Sequence, residues 1–287
     1  MRCDLHVHTR HSGMCNIPGF HRFCRESYND PEAVYRTLKR RGMDLVTVTD
    51  HDSIDAAEHL RHYPDFFLSE EVTCTTPSGT EIHVGVYGIE ERHHIELQRR
   101  RTDVPALAAF LHEQKILFSI NHVFSSLTGR RTDLDFAMFQ DLFPAMETLN
   151  GHLPANNNRA AMRLAEDWQK APLGGSDAHT LETLALTYTE VPGAESIGEF
   201  LASVRQGRAK VAGASGNYAK LTRAVLGIGS SLVRERHWTF VLTPCMLAVP
   251  LVTLVNYLCE FSFHARWSRA LWPAPLPEAC ATEGLDN

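Results

Sequence analysis

The chain has 287 residues, of which 44% are hydrophobic and 22% are charged, and its formal net charge is −6. This composition is ordinary for a globular protein, and the acidic balance gives no electrostatic reason to expect nucleic-acid binding. The seven cysteines are scattered and never spaced CxxC, and the first residues are polar, so we expect a cytoplasmic protein without a secretory signal. Sixteen histidines are the one unusual feature.

Short apolar runs alternate with helix-like stretches along the first 215 residues. Strands are predicted at 3–8, 44–52, 66–73, 81–89, 116–122, 145–150, 171–179 and 184–191. Helices are predicted at 30–43, 104–114, 134–143, 156–169 and 196–207, the first with Asp30 as N-cap, Pro31 at its start and Gly42 at its end. The alternation predicts an α/β fold with a parallel sheet, closed into a TIM-like barrel.

Side chains that bind metals follow the ends of these predicted strands. Eight of them lie at or just past a carboxyl end: His6, His8, Asp50, His51, Glu71, His122, Asp177 and His179. His83 lies inside a strand. Because the carboxyl ends of parallel strands form the edge where α/β proteins build their sites, we expect these side chains to converge.

The spacing of these residues suits a cluster of metal ions. His6 and His8 are two apart and point to the same side of a strand, and Asp177 and His179 repeat this spacing after "GGS", where small residues permit close backbone approach. Each piece alone also fits a structural role, as a buried histidine or a helix cap. Jointly, mixed imidazole and carboxylate ligands predict two or three Mn²⁺, Zn²⁺ or Fe²⁺ ions.

Six ordered motifs resemble those of the PHP (polymerase and histidinol phosphatase) domain family: "DLHVHT", "GMDLVTVTDHDSI", "SEEVT", "EIHVGVYGI", "SINHV" and "GGSDAH". The resemblance covers roughly residues 2–215. It implies a distorted (β/α)7 barrel and a metal-dependent phosphoesterase.

The resemblance also implies a ligand set for each ion. His6, His8, Glu71 and Asp177 resemble the ligands of one ion, and Glu71, His83 and His122 resemble those of its neighbour. His51 and His179 resemble third-site ligands, with Asp50 beside them. This sequence departs from the family where a further third-site ligand is expected, because Met14 lies there; His11 and His21 are the nearest substitutes.

The expected reaction is hydrolysis of a phosphate ester, mono- or diester, in a small metabolite or a nucleotide, by a metal-activated water. Asp177 or His179 would transfer the proton. Substrate binding is predicted for Arg130, Arg131, Arg159 and Asn150. Two alternatives stay open: hydrolysis or deamination at carbon, as in amidohydrolases, and a non-catalytic metal-binding module that recruits a partner.

The chain changes character after residue 215. We predict a barrel over 1–215, a linker over 216–236, a hydrophobic segment over 237–272 and a disordered tail over 273–287. Residues 237–259 contain no Asp, Glu, Lys or Arg, a length that would span a bilayer as a helix. A membrane anchor on the inner face of the membrane and a helical hairpin packed on the barrel, or on a second copy in an oligomer, both stay open.

Overall fold

The computed structural model describes residues 1–17 and 19–273. Its strands form a five-stranded sheet in the order β2-β3-β4-β5-β6 and a three-stranded sheet in the order β1-β7-β8. The strand bounds are Arg2–Cys3 (β1), Ser69–Thr75 (β2), Glu81–Tyr87 (β3), Leu117–Ile120 (β4), Ala145–Asn150 (β5), Ala171–Gly175 (β6), Thr187–Glu190 (β7) and Lys210–Gly213 (β8). The predicted α/β class is confirmed.

The five-stranded sheet is mixed and the three-stranded sheet is antiparallel, whereas the sequence predicts a parallel sheet. Strands β2, β3 and β4 pair antiparallel, as do β1, β7 and β8, and only β4, β5 and β6 run parallel. Residues 76–80 join β2 to β3 directly, and a connection this short permits only antiparallel pairing. Parallel pairing appears where a helix crosses between strands.

The expected closed barrel is not present among the described residues. The predicted first and second strands are instead two extended segments, 4–8 and 45–51, which make isolated bridges. A few backbone hydrogen bonds join these segments to each other and to the two ends of the five-stranded sheet, among them Asp177 N to His6 O (2.7 Å), Thr49 N to Val7 O (2.8 Å) and Glu71 N to Asp50 O (3.1 Å). These bonds bring the motif-bearing segments next to both edges of that sheet.

Helices pack around the sheets. Their bounds are Pro31–Arg40 (α1), Ala57–Leu60 (α2), Glu91–Arg100 (α3), Val104–Glu113 (α4), Asp133–Leu142 (α5), Ala155–Asp167 (α6), Ile197–Arg205 (α7), Tyr218–Glu235 (α8) and Val249–Leu271 (α9). The predicted cap of α1 is confirmed, since the Asp30 carboxylate accepts from Ala33 N at 3.2 Å. The largest buried cluster lies between the five-stranded sheet and helices α4 to α6, and it includes Trp267 of α9.

The segment predicted as a linker is a helix. Helix α8 fills most of 216–236, and Asn217 caps it by accepting from Lys220 N at 2.9 Å. Its apolar positions recur at helical spacing, with Ala224 and Leu232 buried, and this outweighs the glycines and serines. A 3₁₀ helix over His237–Ala248 then leads into α9.

One stretch of the described chain, His237–Leu271, is long and apolar enough to cross a membrane by length and composition. The predicted disordered tail lies outside the described residues, apart from Pro273.

Candidate metal centre

The site begins where segment 4–8 lies against the end of β6. A Cβ atom on Gly175 would lie 2.4 Å from His6 Cβ and from His6 N, so only glycine permits this approach. The close backbone approach predicted from "GGS" is therefore confirmed at Gly175. It brings His6 and His8 beside the loop that carries Asp177.

Imidazole and carboxylate atoms converge in the buried part of the site. Glu71 Oε2 lies 3.0 Å from His6 Nε2 and 3.4 Å from His8 Nε2, and Glu71 Oε1 lies 3.2 Å from His122 Nε2. Asp177 Oδ1 lies 3.3 Å from His8 Nε2. Four groups have ligand atoms within 4.8 Å of one another: His6, His8 and Asp177; His6, Glu71 and His122; His8, His51 and Glu71; and His152, Asp177 and His179.

The site opens to solvent on one side. The side chains of His6, His8 and Glu71 are 1–2% exposed, whereas those of His51, His83, Asp177 and His179 are 12–15% exposed. His83, predicted inside a strand, projects from β3 and places Nδ1 3.3 Å from His122 Nε2. A substrate would therefore reach the cluster past the more exposed residues.

Glu26, which the sequence interpretation missed, belongs to this open side. Its Oε1 lies 3.1 Å from His179 Nε2 and 3.5 Å from His51 Nε2. Glu26 therefore lies within 3.5 Å of both predicted third-site ligands, His51 and His179. His11 lies against the ring of His59, and His21 is exposed.

Buried partners orient the two histidines of the HxH motif. Glu147 Oε1 lies 2.7 Å from His6 Nδ1, and Ser12 Oγ lies 2.8 Å from His8 Nδ1. When these Nδ1 atoms donate, each Nε2 keeps its lone pair for a metal ion. Glu147 was also missed; its Oε2 accepts from His122 N at 2.9 Å, so it supports two predicted ligands.

Asp50, predicted beside the third-site ligands, contacts the backbone next to the converging ligand atoms. Its two carboxylate oxygens accept from Thr9 N at 2.5 Å and from Thr9 Oγ1 at 2.6 Å. Asp50 therefore fixes the chain just after His8, and it belongs to none of the four groups of converging ligand atoms. Burial raises its pKa to about 6.

Two predicted ligands have backbone angles that side chains rarely adopt. His122 has a φ of 31° and Asp177 a φ of 52°. Such conformations persist when the surrounding contacts enforce them, and they are concentrated at functional sites.

The charges of the cluster compensate one another. Burial lowers the pKa of His6, but Glu71, Asp177 and Glu147 raise it well above its usual value. Burial raises the pKa of Glu71, but His6 and the neighbouring imidazoles hold it well below its usual value. Burial, assisted by His179, lowers the pKa of His8 to about 3. His8 is therefore neutral at physiological pH, as a metal ligand must be.

The donor set fits divalent transition-metal ions. His8 Nε2, His51 Nδ1 and His122 Nδ1 are buried without a hydrogen-bond partner, although buried polar atoms are normally paired. His8 Nε2 in particular faces carboxylate oxygens of Glu71 and Asp177. A metal ion bonded to these atoms would give His8 Nε2 a partner and would balance the negative charge of the two carboxylates.

The predicted substrate-binding residues fall into different places. Asn150 lies in the site and donates from Nδ2 to Glu147 Oε2 at 3.0 Å and to Asp177 Oδ2 at 3.1 Å. Arg131 is buried and donates to Glu81 O at 2.8 Å, which gives it a structural role. Arg130 is exposed, and Arg159 is exposed on α6, where it donates to Asn156. Loop positions after a strand do not determine where long side chains point.

Comparisons with known proteins agree with the resemblance in the motifs. Residues 155–209 match the PHP-associated family. PsfC from Pseudomonas syringae PB-5123 has a similar structure, with a TM-score of 0.56 and 17% identity over 80% of this chain and 97% of PsfC.

A two-domain protein from Bacteroides vulgatus ATCC 8482, containing a predicted PHP-like metal-dependent phosphoesterase, gives a TM-score of 0.55 and 16% identity over 77% of this chain and 67% of its own. No curated protein sequence matches the chain. The match to the PHP-associated family over residues 155–209 and the similar folds thus support the resemblance of the ordered motifs to the PHP-domain family.

Proposed function

We propose that this protein is a metal-dependent phosphoesterase. The observation that carries the proposal is the convergence of His6, His8, Glu71, His122 and Asp177, from four separate parts of the chain, into groups whose ligand atoms lie within 4.8 Å. The PHP-like phosphoesterase of the Bacteroides protein, which shares the fold, is consistent with it.

The residues divide into two adjoining ligand sets. His6, His8 and Asp177 would hold one ion, and Glu71 with His122 and His83 would hold its neighbour, with Glu71 between the two sets. Divalent ions bound there would lower the pKa of a water molecule and polarise a phosphoryl oxygen. Glu147 and Ser12 would keep the HxH nitrogens in the tautomer that binds metal.

The substrate is expected to enter on the side of His51, Asp177 and His179, the more exposed residues of the cluster. Proton transfer by Asp177 or His179 stays a prediction. Because Arg131 is tied to backbone and Asn150 donates both Nδ2 hydrogens to Glu147 and Asp177, the phosphate would be bound chiefly by the metal ions.

The experiment combines metal analysis with an ester panel. We expect at least two equivalents of transition metal per chain and release of phosphate or nitrophenol from mono- or diesters with Mn²⁺, abolished by a chelator. His8→Ala and Asp177→Ala should lower both metal content and turnover, whereas His62→Ala, which changes an exposed histidine, should alter neither.

Three outcomes would contradict the proposal. Turnover of amides or amino-purines without any ester would indicate hydrolysis at carbon. Full metal occupancy without turnover of either class would indicate a binding module. Unchanged metal content in both alanine variants would refute the ligand assignment.

A further inference from the structure

Helix α9 has two faces of different character. Thr253, Glu260 and Trp267 are buried and seven residues apart, so one face packs against the rest of the protein. At about 100° per residue, the opposite face carries residues 251, 255, 258, 262, 266 and 269. This face begins with Leu251, Val255 and Leu258, all at least half exposed.

The buried face holds α9 firmly in place. The Glu260 carboxylate accepts from Ser126 N at 2.9 Å and from Asn157 Nδ2 at 3.2 Å. Trp267 is 4% exposed and its ring lies 4.7 Å from that of Phe136. Insertion of α9 across a bilayer would break these contacts and move a carboxylate into hydrocarbon, which is costly. Helix α9 is therefore held to the α/β body through Glu260 and Trp267.

The exposed face continues into a larger apolar surface. The 3₁₀ helix before α9 exposes Trp238 (55%), Phe240 (63%) and Leu247 (86%). From 237 to 259 the sequence contains no charged residue. Contiguous apolar surface of this kind on a soluble protein marks an interaction site.

Cations border this surface at its carboxyl-terminal end. Arg266 and Arg269 continue the exposed face of α9, and Arg269 shares a cleft of about 550 Å³ with Arg159 and Arg163 of α6. The Arg163 guanidinium lies 4.4 Å from the centre of the Trp272 ring. No carboxylate is among the described residues that line the cleft, although Asp167 beside it lies 3.9 Å from Arg163 and accepts from Trp272 Nε1 at 2.7 Å; Arg159 and Arg269 form no ion pair among the described residues. The cleft therefore suits an anionic group such as a phosphate.

We propose that residues 237–259 and this cationic cleft bind the surface of an anionic phospholipid bilayer, with α9 lying in the plane of the interface. The apolar side chains would enter the headgroup and acyl boundary, and the arginines would contact lipid phosphates. A second copy of the chain would cover the apolar side chains, but the exposed face of its α9 offers the same arginines and no carboxylate. An anionic bilayer supplies an apolar region for the exposed apolar side chains and phosphates for the arginines.

The test is flotation of the full chain with vesicles of phosphatidylcholine alone or with added phosphatidylglycerol. We expect the protein to float with the anionic vesicles and much less with the neutral ones. The triple change Leu251→Ser, Val255→Ser and Leu258→Ser should lower partitioning at least tenfold. Arg266→Gln with Arg269→Gln should lower it roughly tenfold or more at low salt, since each arginine near an anionic surface contributes about fivefold.

Matched controls change exposed residues elsewhere. Leu127→Ser with Leu134→Ser, and Arg92→Gln with Arg99→Gln, should leave flotation unchanged. The proposal would be overturned if the protein did not float, or if the control variants lost flotation equally. It would also be overturned if the protein formed a dimer that the triple change dissociates and bound no lipid. Retention in the membrane after alkaline carbonate would indicate a spanning segment instead. Ester hydrolysis in solution is scored separately, so failure here leaves the proposed activity intact.

Discussion

Glu26 Oε1 lies 3.1 Å from His179 Nε2, while His179 Nδ1 lies 3.0 Å from the carbonyl oxygen of Asp177. The carbonyl can only accept, so Nδ1 carries a proton and the lone pair of a neutral His179 would face the carboxylate. His51 Nε2 approaches the same Glu26 oxygen at 3.5 Å. A cation shared by Glu26, His51 and His179 would bind the carboxylate oxygen and the two Nε2 atoms that face it.

We predict that this cation is a third metal ion. Glu26→Gln should reduce the metal content from three equivalents to two, because a neutral amide removes the anionic ligand. Elemental analysis after dialysis measures this. Glu195→Gln, at an exposed position, is the control. If Glu26→Gln keeps all of its metal and only shifts the pH profile of turnover, the shared cation is a proton and not a metal ion.

Glu147 is predicted to control metal affinity without binding metal itself. Glu147→Gln would weaken the contact that fixes the His6 tautomer, so the apparent dissociation constant for Mn²⁺ should rise roughly tenfold to a hundredfold. Competition with a fluorescent chelator measures it. Glu199→Gln, at an exposed position, should leave the constant unchanged. Unaltered affinity in Glu147→Gln would exclude a supporting role.

Gly175 is predicted to be required for both stability and metal binding. In Gly175→Ala the new methyl group would overlap His6, so the backbone must shift; we expect a loss of about 1–3 kcal/mol in the free energy of unfolding and weaker metal binding. In Gly198→Ala the Cβ meets nothing within 4 Å, so this control should be neutral or slightly stabilising. Equal behaviour of the two variants in urea unfolding would contradict this account.

Glu260 is predicted to stabilise the loop that follows His122. Glu260→Ala would leave the buried groups Ser126 N–H and Asn157 Nδ2 without their carboxylate acceptor, at a cost of about 1–3 kcal/mol in the free energy of unfolding. Chemical denaturation of the full chain measures the cost. A loss as small as that of Glu195→Ala would show that these hydrogen bonds contribute nothing.

Glu260 should also make stability depend on pH. Burial raises its pKa above the usual value for glutamate. Between the usual and the raised pKa, the folded protein binds more protons than the unfolded chain, so this residue's contribution to stability falls as pH rises through that window. Glu260→Gln cannot titrate. The stability of the wild type relative to Glu260→Gln should therefore increase as pH is lowered from 7.5 towards 5; a constant difference would contradict the prediction.

Much of the site follows from local sequence. Histidines two apart in an extended segment share a side, and acidic residues and histidines just after apolar runs lie at strand ends, so the positions of His6, His8, His122 and Asp177 could be predicted together. The role of Glu147 could not be predicted, because nothing in the sequence distinguishes it from any other residue inside an apolar strand. Glu26 could not either, since it lies in an irregular loop whose path depends on tertiary contacts.

The α/β class could be predicted from the sequence, but whether the sheet closes into a barrel could not. Apolar periodicity and capping residues identified several helices, such as α1, and most strands. They could not show that segments 4–8 and 45–51 would make isolated β-bridges instead of regular strands, because strand pairing depends on partners distant in sequence. The helix in segment 216–236 was not predicted because Gly227, Gly229, Ser230 and Ser231 suggest a linker, while its packing partner, α9, lies further along the chain.

The central claim is that His6, His8, Glu71, His122 and Asp177 bind adjacent metal ions. Anomalous diffraction from crystals grown with Mn²⁺ tests it most directly. We predict at least two anomalous peaks, one bonded to His6, His8 and Asp177 and one bonded to Glu71 and His122. Peaks confined to surface histidines, with none within bonding distance of these five side chains, would contradict it.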